Sequence, residues 1–284
     1  MAGEQTTPVV AMTIAGSDSG GGAGIQADLK VFAALGVYGT SAITAVTAQN
    51  TTGVTSVHQL PAAQVLAQIE AVRADLPVRA VKTGMLGTAR IAGAVAALAR
   101  AGELPNLVVD PVLVSTSGHR LGVVGAVERL LPYALVATPN RAEASALVGR
   151  PVRTVDEMAR AAAELAAGGP RFVVVTGGDP DGTSTDPASA DVLAAADPAV
   201  DVVGTADGGW RLVGERLDTG NTHGTGCSFA AAVAARLALG DDVPAALVFA
   251  KEYVARALAG ARHWRLGSGH GPIDHFGNYL KEAR

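Results

Sequence analysis

Two turns in the sequence combine glycines with groups that could carry chemistry. The first reads GSDSGGGAG from Gly16 to Gly24, between an apolar run and a helical pattern. Glycines allow a backbone to approach a ligand closely and to adopt positive φ angles. The G-x-G-x-x-G dinucleotide pattern fails because Ile25 stands at its last glycine, and no Gly-Lys pair supplies a P-loop. This turn is either a ligand loop of another kind or a flexible connection.

The second turn is His223-Gly224-Thr225-Gly226-Cys227, which opens a predicted helix. Glycines at a helix start leave its first N–H groups open to an anion, and the helix dipole adds to the attraction. A thiol at this position is expected to have a lowered pKa. A proton acceptor and an anion hole in one turn would suit phosphoryl transfer. The alternative is that Cys227 is a small buried hydrophobic residue.

Oxygen-bearing side chains follow several apolar runs. Asp110 ends one run, and Asn140 and Glu143 follow another, three residues apart on one face of a helix start. Carboxylates hold Mg²⁺ together with water and substrate phosphates, or else lie solvated at the surface. The amide of Gln49 offers a donor and an acceptor in one plane, which matches an aminopyrimidine edge. Its alternative role is a loop glutamine that bonds backbone. The six histidines lack zinc-site spacing.

Apolar runs alternate with helical patterns along the whole chain. Strands are predicted at 9–15, 38–47, 78–82, 107–110, 134–138 and 171–176, and helices at 24–35, 62–74, 88–100, 155–167, 225–239 and 243–260. This alternation predicts parallel βαβ units, with helices on both faces of a central, mostly parallel sheet. The glycine turns and Asp110 then fall beyond the carboxyl ends of strands, where such sheets bind ligands. No linker divides the chain, so residues 1–284 are interpreted as one domain.

Composition excludes several classes of protein. Hydrophobic residues make up 49% of the chain, which is enough for a packed core. A net charge of −4 argues against a nucleic-acid partner. The apolar runs are too short to cross a bilayer, and no secretory signal is visible at the N-terminus. The single cysteine excludes an intramolecular disulfide and suits a reducing compartment, so we expect a cytoplasmic protein.

The chain resembles the hydroxymethylpyrimidine/phosphomethylpyrimidine kinases of thiamine biosynthesis, a branch of the ribokinase superfamily. The matching motifs span nearly the whole chain, and their order and spacing make them specific. They are 15–30 (AGSDSGGGAGIQADLK), 44–50 (TAVTAQN), 82–87 (KTGMLG), 110–118 (DPVLVSTSG), 138–144 (TPNRAEA), 221–227 (NTHGTGC) and 269–276 (GHGPIDHF). The resemblance implies a three-layer αβα sandwich of ribokinase-like fold. It also implies ATP and Mg²⁺ as cofactors and a homodimer. No strands inserted near residues 16–40 are found that could build a lid domain.

The resemblance implies a role for each matching residue. The pyrimidine is expected to contact Gly16, Asp28, Gln49, Met85 and Val112. Gln49 would bond the aminopyrimidine edge, and Met85 would stack on the ring.

The phosphate side is implied in the same way. Asp110 and Glu143 resemble the Mg²⁺-associated acids, and Asn140, Thr176 and Gly178 would lie beside the nucleotide. Gly224, Thr225 and Gly226 would form the anion hole, with Cys227 as the catalytic base. Thr176 and Asp179 depart from the pattern, because many relatives have lysine and histidine there.

The resemblance, weighed with these residues, leaves three candidate functions. The first is the ATP-dependent phosphorylation of 4-amino-5-hydroxymethyl-2-methylpyrimidine and then of its monophosphate. The second is a pyridoxal kinase on the same scaffold, which Cys227 does not exclude. The third is a non-catalytic pyrimidine sensor, which would need neither the cysteine turn nor Asp110.

Overall fold

A computed structural model describes residues 7–113, 124–178 and 198–276, in which the strands form one sheet. The sheet order is β3-β2-β1-β4-β5-β6-β7-β8-β9. The six strands from β2 through β7 in that order are parallel. At the two edges, β3 and β8 run in the opposite direction, and β9 pairs antiparallel with β8, so it runs in the same direction as the six. The strands are β1 (Val10–Asp18), β2 (Tyr38–Asn50), β3 (Gly53–Gln59), β4 (Val78–Thr83), β5 (Val108–Val109), β6 (Val136–Ala137), β7 (Phe172–Val175), β8 (Ala199–Thr205) and β9 (Gly208–Gly214).

Helices cover both faces of this sheet. They are α1 (Gly24–Ala34), α2 (Ala62–Asp75), α3 (Ala89–Arg100), α4 (Val124–Val127), α5 (Arg141–Val148), α6 (Val155–Ala167), α7 (Thr225–Leu239) and α8 (Val243–Ala261). The predicted strands and helices are therefore confirmed, although β5 and β6 are only two residues long. Residues 114–118 of one motif and Asp179 lie outside the described residues.

The three layers arise because successive strand residues face opposite sides of the sheet. Met12 and Val81 belong to a core shared with α2, α3 and α6. Their neighbours Ala11 and Ala80 belong to a second core, shared with α1, α7 and α8. Strands buried on both faces need apolar residues at every position, which explains their continuous apolar runs.

Strand β3 was not predicted. It pairs antiparallel with β2, which runs on to Asn50 rather than ending at residue 47. Only Val54 of β3 is buried, so the segment lacks the apolar run by which the other strands were recognised. Residues 16–40 hold no inserted strand, as expected. No helix in the described part of the chain is long and apolar enough to span a membrane.

Candidate active site

The candidate site lies at the carboxyl edge of the sheet, between β1 and β4. The chain leaves β1 to form β2 on one side and later returns to form β4 on the other side, so the strand order reverses here. Open α/β sheets bind ligands at such points. Helix α7 packs against β1, β4 and β5, which brings its first turn to the same place.

The carboxylate of Asp18 organises the glycine turn after β1. It accepts the backbone N–H groups of Gly20 at 2.8 Å, Gly22 at 3.1 Å and Ala23 at 2.9 Å. Burial opposes its ionisation, but hydrogen bonds from His223 and the backbone outweigh burial and hold the pKa of Asp18 below its usual value. The turn is therefore a fixed cradle rather than a flexible connection.

Gly16 and Met85 are in direct contact. A Cβ at position 16 would lie 2.2 Å from Met85 Cε, so glycine is what lets the methionine lie across the end of β1. The Thr44 hydroxyl donates to the Met85 carbonyl at 2.6 Å and fixes that backbone. Val112 is half-buried, and its N–H donates to the carbonyl of Asp110 at 2.9 Å. The structure thus brings two of the predicted pyrimidine contacts together.

The side chain of Gln49 is turned toward other side chains rather than toward backbone. Its Nε2 lies 3.4 Å from Nε2 of His223, and its Oε1 lies 3.2 Å from the hydroxyl of Thr47. The Ser19 hydroxyl is bonded to the Gln49 backbone on both sides, as donor to its carbonyl and as acceptor from its N–H, each at 2.8 Å. These bonds fix the end of β2, from which the Gln49 amide extends toward His223 and Thr47.

A buried ammonium group lies beneath the site. Lys82 is fully buried, with Nζ at 3.0 and 3.1 Å from the two carboxylate oxygens of Asp28. Asp110 Oδ2 lies 3.4 Å from the same nitrogen, and Thr13 donates to Asp28 at 2.6 Å. Burial disfavours the ammonium, but the negative charges of Asp28 and Asp110 more than compensate and raise the pKa of Lys82.

This placement changes the expected role of Asp28. Its side chain has no exposed surface, and its known partners are Lys82 and Thr13. A direct contact with a pyrimidine is not what this geometry provides. Asp28 instead supplies the counter-ion that allows a cation to lie under the site.

The first turn of α7 closes onto the glycine turn. Gly224 caps the helix with φ +86°, and a Cβ there would come within 1.8 Å of the carbonyl of Gly22. No side chain caps this helix, and a Cβ at Gly226 would meet open space. The Thr225 hydroxyl bonds the carbonyl of Thr222 and steadies the turn. N–H groups at a helix start that no side chain caps can bind an anion.

Cys227 has a raised thiol pKa, so the expectation of a lowered one is wrong for the ligand-free protein. Burial is the main cause and raises the pKa to about 12. The charge of Lys82 and a hydrogen bond from the Gly24 N–H lower it, whereas Asp110 raises it again. The helix N-terminus does not outweigh desolvation, which depends on tertiary packing rather than on local sequence.

Asn140 and Glu143 form a reciprocal cap on α5. Asn140 Oδ1 accepts from the Glu143 N–H at 2.8 Å, and Glu143 Oε2 accepts from the Asn140 N–H at 2.9 Å. The other Glu143 oxygen accepts from the N–H of Leu113 at 3.4 Å. Burial and the nearby charge of Asp110 raise the pKa of Glu143 to about 8.

Asp110 and Glu143 fit a divalent cation that a nucleotide brings with it. Both side chains are buried, and Asp110 Oδ2, which lies 3.4 Å from Lys82 Nζ, accepts no hydrogen bond from the described residues. The charge of Asp110 raises the pKa of Glu143, so a cation between the two carboxylates would stabilise both. No cluster of three or more His, Cys, Asp or Glu that could hold a metal occurs among the described residues. The pair therefore suits Mg²⁺ that is completed by phosphate and water, not a cage of protein ligands.

Thr176 and Gly178 continue the same edge of the sheet. The Thr176 N–H donates to the carbonyl of Pro139 at 2.9 Å, which places it beside Asn140. The Gly178 carbonyl accepts from Arg216 at 2.9 Å, and a Cβ at Gly178 would meet open space. These positions form an open rim next to the α5 cap.

Comparison with known proteins identifies the family. The family model described as phosphomethylpyrimidine kinase matches residues 18–274. The chain belongs to this family. The hydroxymethylpyrimidine/phosphomethylpyrimidine kinase of Rhizobium meliloti is 46% identical over 279 residues, which cover 96% of this chain and 99% of the relative.

Solved structures similar to this phosphomethylpyrimidine kinase family member include pyridoxal kinases and a phosphomethylpyrimidine kinase. An ADP complex of Bacillus subtilis pyridoxal kinase has a TM-score of 0.82 at 36% identity and covers 97% of this chain and 100% of its own. Phosphomethylpyrimidine kinase from Clostridium difficile has a TM-score of 0.71 at 38% identity, with 88% and 99% covered. The ribokinase-like fold implied by the sequence is confirmed.

Three residues of this phosphomethylpyrimidine kinase family member have structural roles that the sequence did not predict. Asp18 and Lys82 lie inside the matching motifs without a predicted role. The histidines, His223 included, have no predicted role because they lack zinc-site spacing. Lys82 offered a signal in the sequence, because it is a charged residue that directly follows the apolar pair Ala80 and Val81 in β4. His223 carried a weaker one, its position directly before Gly224. Their partners lie far away in sequence and appear only in the folded chain.

Proposed function

We propose that this protein transfers the γ-phosphoryl group of ATP to 4-amino-5-hydroxymethyl-2-methylpyrimidine and then to the resulting monophosphate, in thiamine diphosphate biosynthesis. The observation that carries the proposal is one cradle at the β1/β4 reversal, with Gln49 on one wall and the open start of α7 on the other. Family membership gives this arrangement its chemical meaning.

The pyrimidine half would position the substrate. Gln49 presents an amide edge complementary to an aminopyrimidine, and Met85 provides a polarisable surface for the ring. Gly16 keeps that methionine in place, and Val112 extends the same wall. Asp28 acts from below through Lys82.

The phosphate half would bind the nucleotide and stabilise charge. Asn140, Thr176 and Gly178 form the rim for ATP, and Asp110 with Glu143 would hold Mg²⁺. Mg²⁺ bound there would neutralise the two carboxylates and shield the phosphates. The N–H groups at Gly224, Thr225 and Gly226 would hold the transferring phosphoryl group.

Cys227 is proposed as the catalytic base for the alcohol substrate. Its raised pKa means that the resting group is a thiol, so the thiolate has to form while ligands are bound. Lys82 is the fixed positive charge that lowers the pKa of the thiol. A general base contributes about 10²–10⁴-fold in rate.

Turnover with three substrates tests the proposal. ADP release is measured with ATP and Mg²⁺ and either the pyrimidine alcohol, its monophosphate or pyridoxal. The proposal expects turnover with both pyrimidines and a clearly higher kcat/KM for the alcohol than for pyridoxal. Preference for pyridoxal would establish the second candidate, which the TM-score of 0.82 with a pyridoxal kinase keeps in view. If the protein binds the pyrimidine but releases no ADP, the third candidate, a non-catalytic sensor, would be supported.

The same proposal includes the assembly and setting of the protein. We treat residues 1–284 as a single kinase domain that forms a homodimer in the cytoplasm. Light scattering on the purified protein measures its mass in solution, and a monomeric mass would contradict the proposed dimer.

A further inference from the structure

His223 lies between the glycine turn after β1 and the side chain of Gln49. Its ring covers Gly22, where a Cβ would come within 2.4 Å of Cδ2, and its backbone N–H donates to Gly271 at 3.0 Å. Its Nε2 lies 3.0 Å from Asp18 Oδ2 and 3.4 Å from the amide of Gln49. One ring nitrogen therefore meets both the carboxylate that shapes the turn and the amide proposed to read the substrate.

The hydrogens in this cluster decide how the Gln49 amide is oriented. An ionised Asp18 only accepts, so the Nε2 atom of His223 that faces it must carry a hydrogen and cannot accept one from an amide nitrogen. The Thr47 hydroxyl has a single hydrogen, which is already donated to the carbonyl of Ser17 at 2.9 Å. The amide oxygen at 3.2 Å is therefore only a second, more distant acceptor for that hydrogen.

The two facing donors are removed when the amide oxygen faces His223 and the amide nitrogen faces Thr47. The oxygen then shares the Nε2 hydrogen of His223 with Asp18, its nearer acceptor at 3.0 Å, and the amide nitrogen donates to the Thr47 hydroxyl. Assigning amide atoms from their partners is the appropriate procedure, because oxygen and nitrogen have the same shape.

We propose that His223, with its tautomer set by Asp18, is a positioning residue that fixes the order of acceptor and donor on the Gln49 amide and thereby the direction in which the pyrimidine binds. The inference rests on the proposed function, since it deepens the role of Gln49. The amide oxygen, with a lone pair left for the substrate, then lies on the His223 side. The amide N–H left for the substrate lies on the Thr47 side.

This order has a consequence for the substrate. Its exocyclic amine must face the oxygen, and the adjacent ring nitrogen must face the N–H. The hydroxymethyl group is attached next to the amine, on the side away from that ring nitrogen. It is therefore directed toward the side of His223, whose chain continues directly into Gly224 and Cys227. The reverse order would turn the alcohol away from the cysteine turn.

A double-mutant cycle tests this role. His223→Met removes the donor at similar length, and His223→Gln is the matched control that keeps an N–H near the Nε2 position. The dissociation constant of the pyrimidine alcohol is measured by calorimetry for both variants, for Gln49→Ala and for Gln49→Ala combined with His223→Met. KM for ATP is measured in each.

We expect His223→Met to weaken pyrimidine binding about tenfold. His223→Gln should recover most of that loss, and KM for ATP should stay within about twofold. In the Gln49→Ala background, His223→Met should have almost no further effect, because the amide through which it acts is gone. Additive losses, or a parallel rise in KM for ATP, would overturn the inference and reduce His223 to a structural support of the glycine turn.

The parent protein separates this test from the test of function. A parent that binds the pyrimidine alcohol but does not phosphorylate it refutes the proposed function, while the cycle is still read in dissociation constants. A parent that does not bind the pyrimidine overturns both.

Discussion

The two halves of the site balance their buried charges differently. On the pyrimidine half, Asp28 has the ammonium of Lys82 at 3.0 and 3.1 Å. On the nucleotide half, Glu143 faces Asp110, and burial together with that charge raises its pKa to about 8. A buried charge without a partner is strongly destabilising. Lys82 also reaches Asp110 at 3.4 Å, but no cation is among the groups that set the pKa of Glu143, so the second half is suited to a ligand that brings positive charge.

Cys227 is influenced by both halves. After burial, the two charges with the largest effects on its pKa are Lys82, which lowers it, and Asp110, which raises it. We therefore expect the reactivity of Cys227 to depend on the ammonium of Lys82 below it. It should also depend on neutralisation of the Asp110 and Glu143 carboxylates beside it. The following changes test each part, in order of expected effect.

Replacing Cys227 should have the largest effect. Cys227→Ala is expected to lower kcat for the alcohol by about 10²–10⁴-fold, because the alcohol must lose a proton as it attacks. The monophosphate is already ionised near neutral pH, so its kcat should fall much less. The dissociation constant of the pyrimidine should change little, and Cys227→Ser is the size-matched control. Equal losses on both substrates would show that the residue shapes the anion hole instead.

Removing the cation of the pyrimidine half should destabilise the protein. Lys82→Met leaves Asp28 buried without its partner, at a cost of about 3–5 kcal/mol in the free energy of unfolding. Adding Asp28→Asn removes the unpaired charge and should restore more than half of that loss. Urea unfolding of the two variants measures this. A double variant no more stable than Lys82→Met would mean that packing, and not charge, holds this half together.

Changing the nucleotide half should act through the metal. Asp110→Asn is expected to raise the Mg²⁺ concentration needed for half-maximal turnover by about tenfold, since one of the two carboxylates proposed to hold the ion is lost. The fold should survive, because the change reduces charge in a buried acidic pair. Superimposable Mg²⁺ titration curves for the variant and the parent would give Asp110 another role.

The smallest expected effect is a pH dependence of stability. The Glu143 carboxyl keeps a proton in the folded state up to about pH 8, whereas its usual pKa is 4.5. The folded state thus binds more protons in this range, and the free energy of unfolding falls as pH rises through it. His275 acts in the opposite direction, but only below pH 6.5, because burial lowers its pKa to about 4.

The interval from pH 6.5 to 8 lies above the range of His275, and comparison with a Glu143 variant removes the contribution of other groups, such as Asp28 with its raised pKa. The Tm of the ligand-free parent should fall across it by a few degrees relative to that of Glu143→Gln. Parallel Tm curves for the two proteins would show that the carboxyl is ionised throughout.

The sequence predicted the parts of this molecule that depend on neighbouring residues in the chain. Apolar runs located six strands, and glycines placed both turns, because these signals are local. Strand β3 escaped because its side chains are mostly exposed. The roles of Lys82 and His223 depend on partners 54 and 205 residues away. The raised pKa of Cys227 likewise comes from burial that only the folded chain creates.

Product analysis with one enzyme preparation tests the central claim most directly. The pyrimidine alcohol is incubated with excess ATP and Mg²⁺, and ³¹P NMR follows its phosphorylated products, with pyridoxal in a parallel sample. The account predicts that the monophosphate appears first and is then converted to the diphosphate, while pyridoxal is phosphorylated far more slowly. Rapid formation of pyridoxal phosphate, with the pyrimidine alcohol left unchanged, would contradict it.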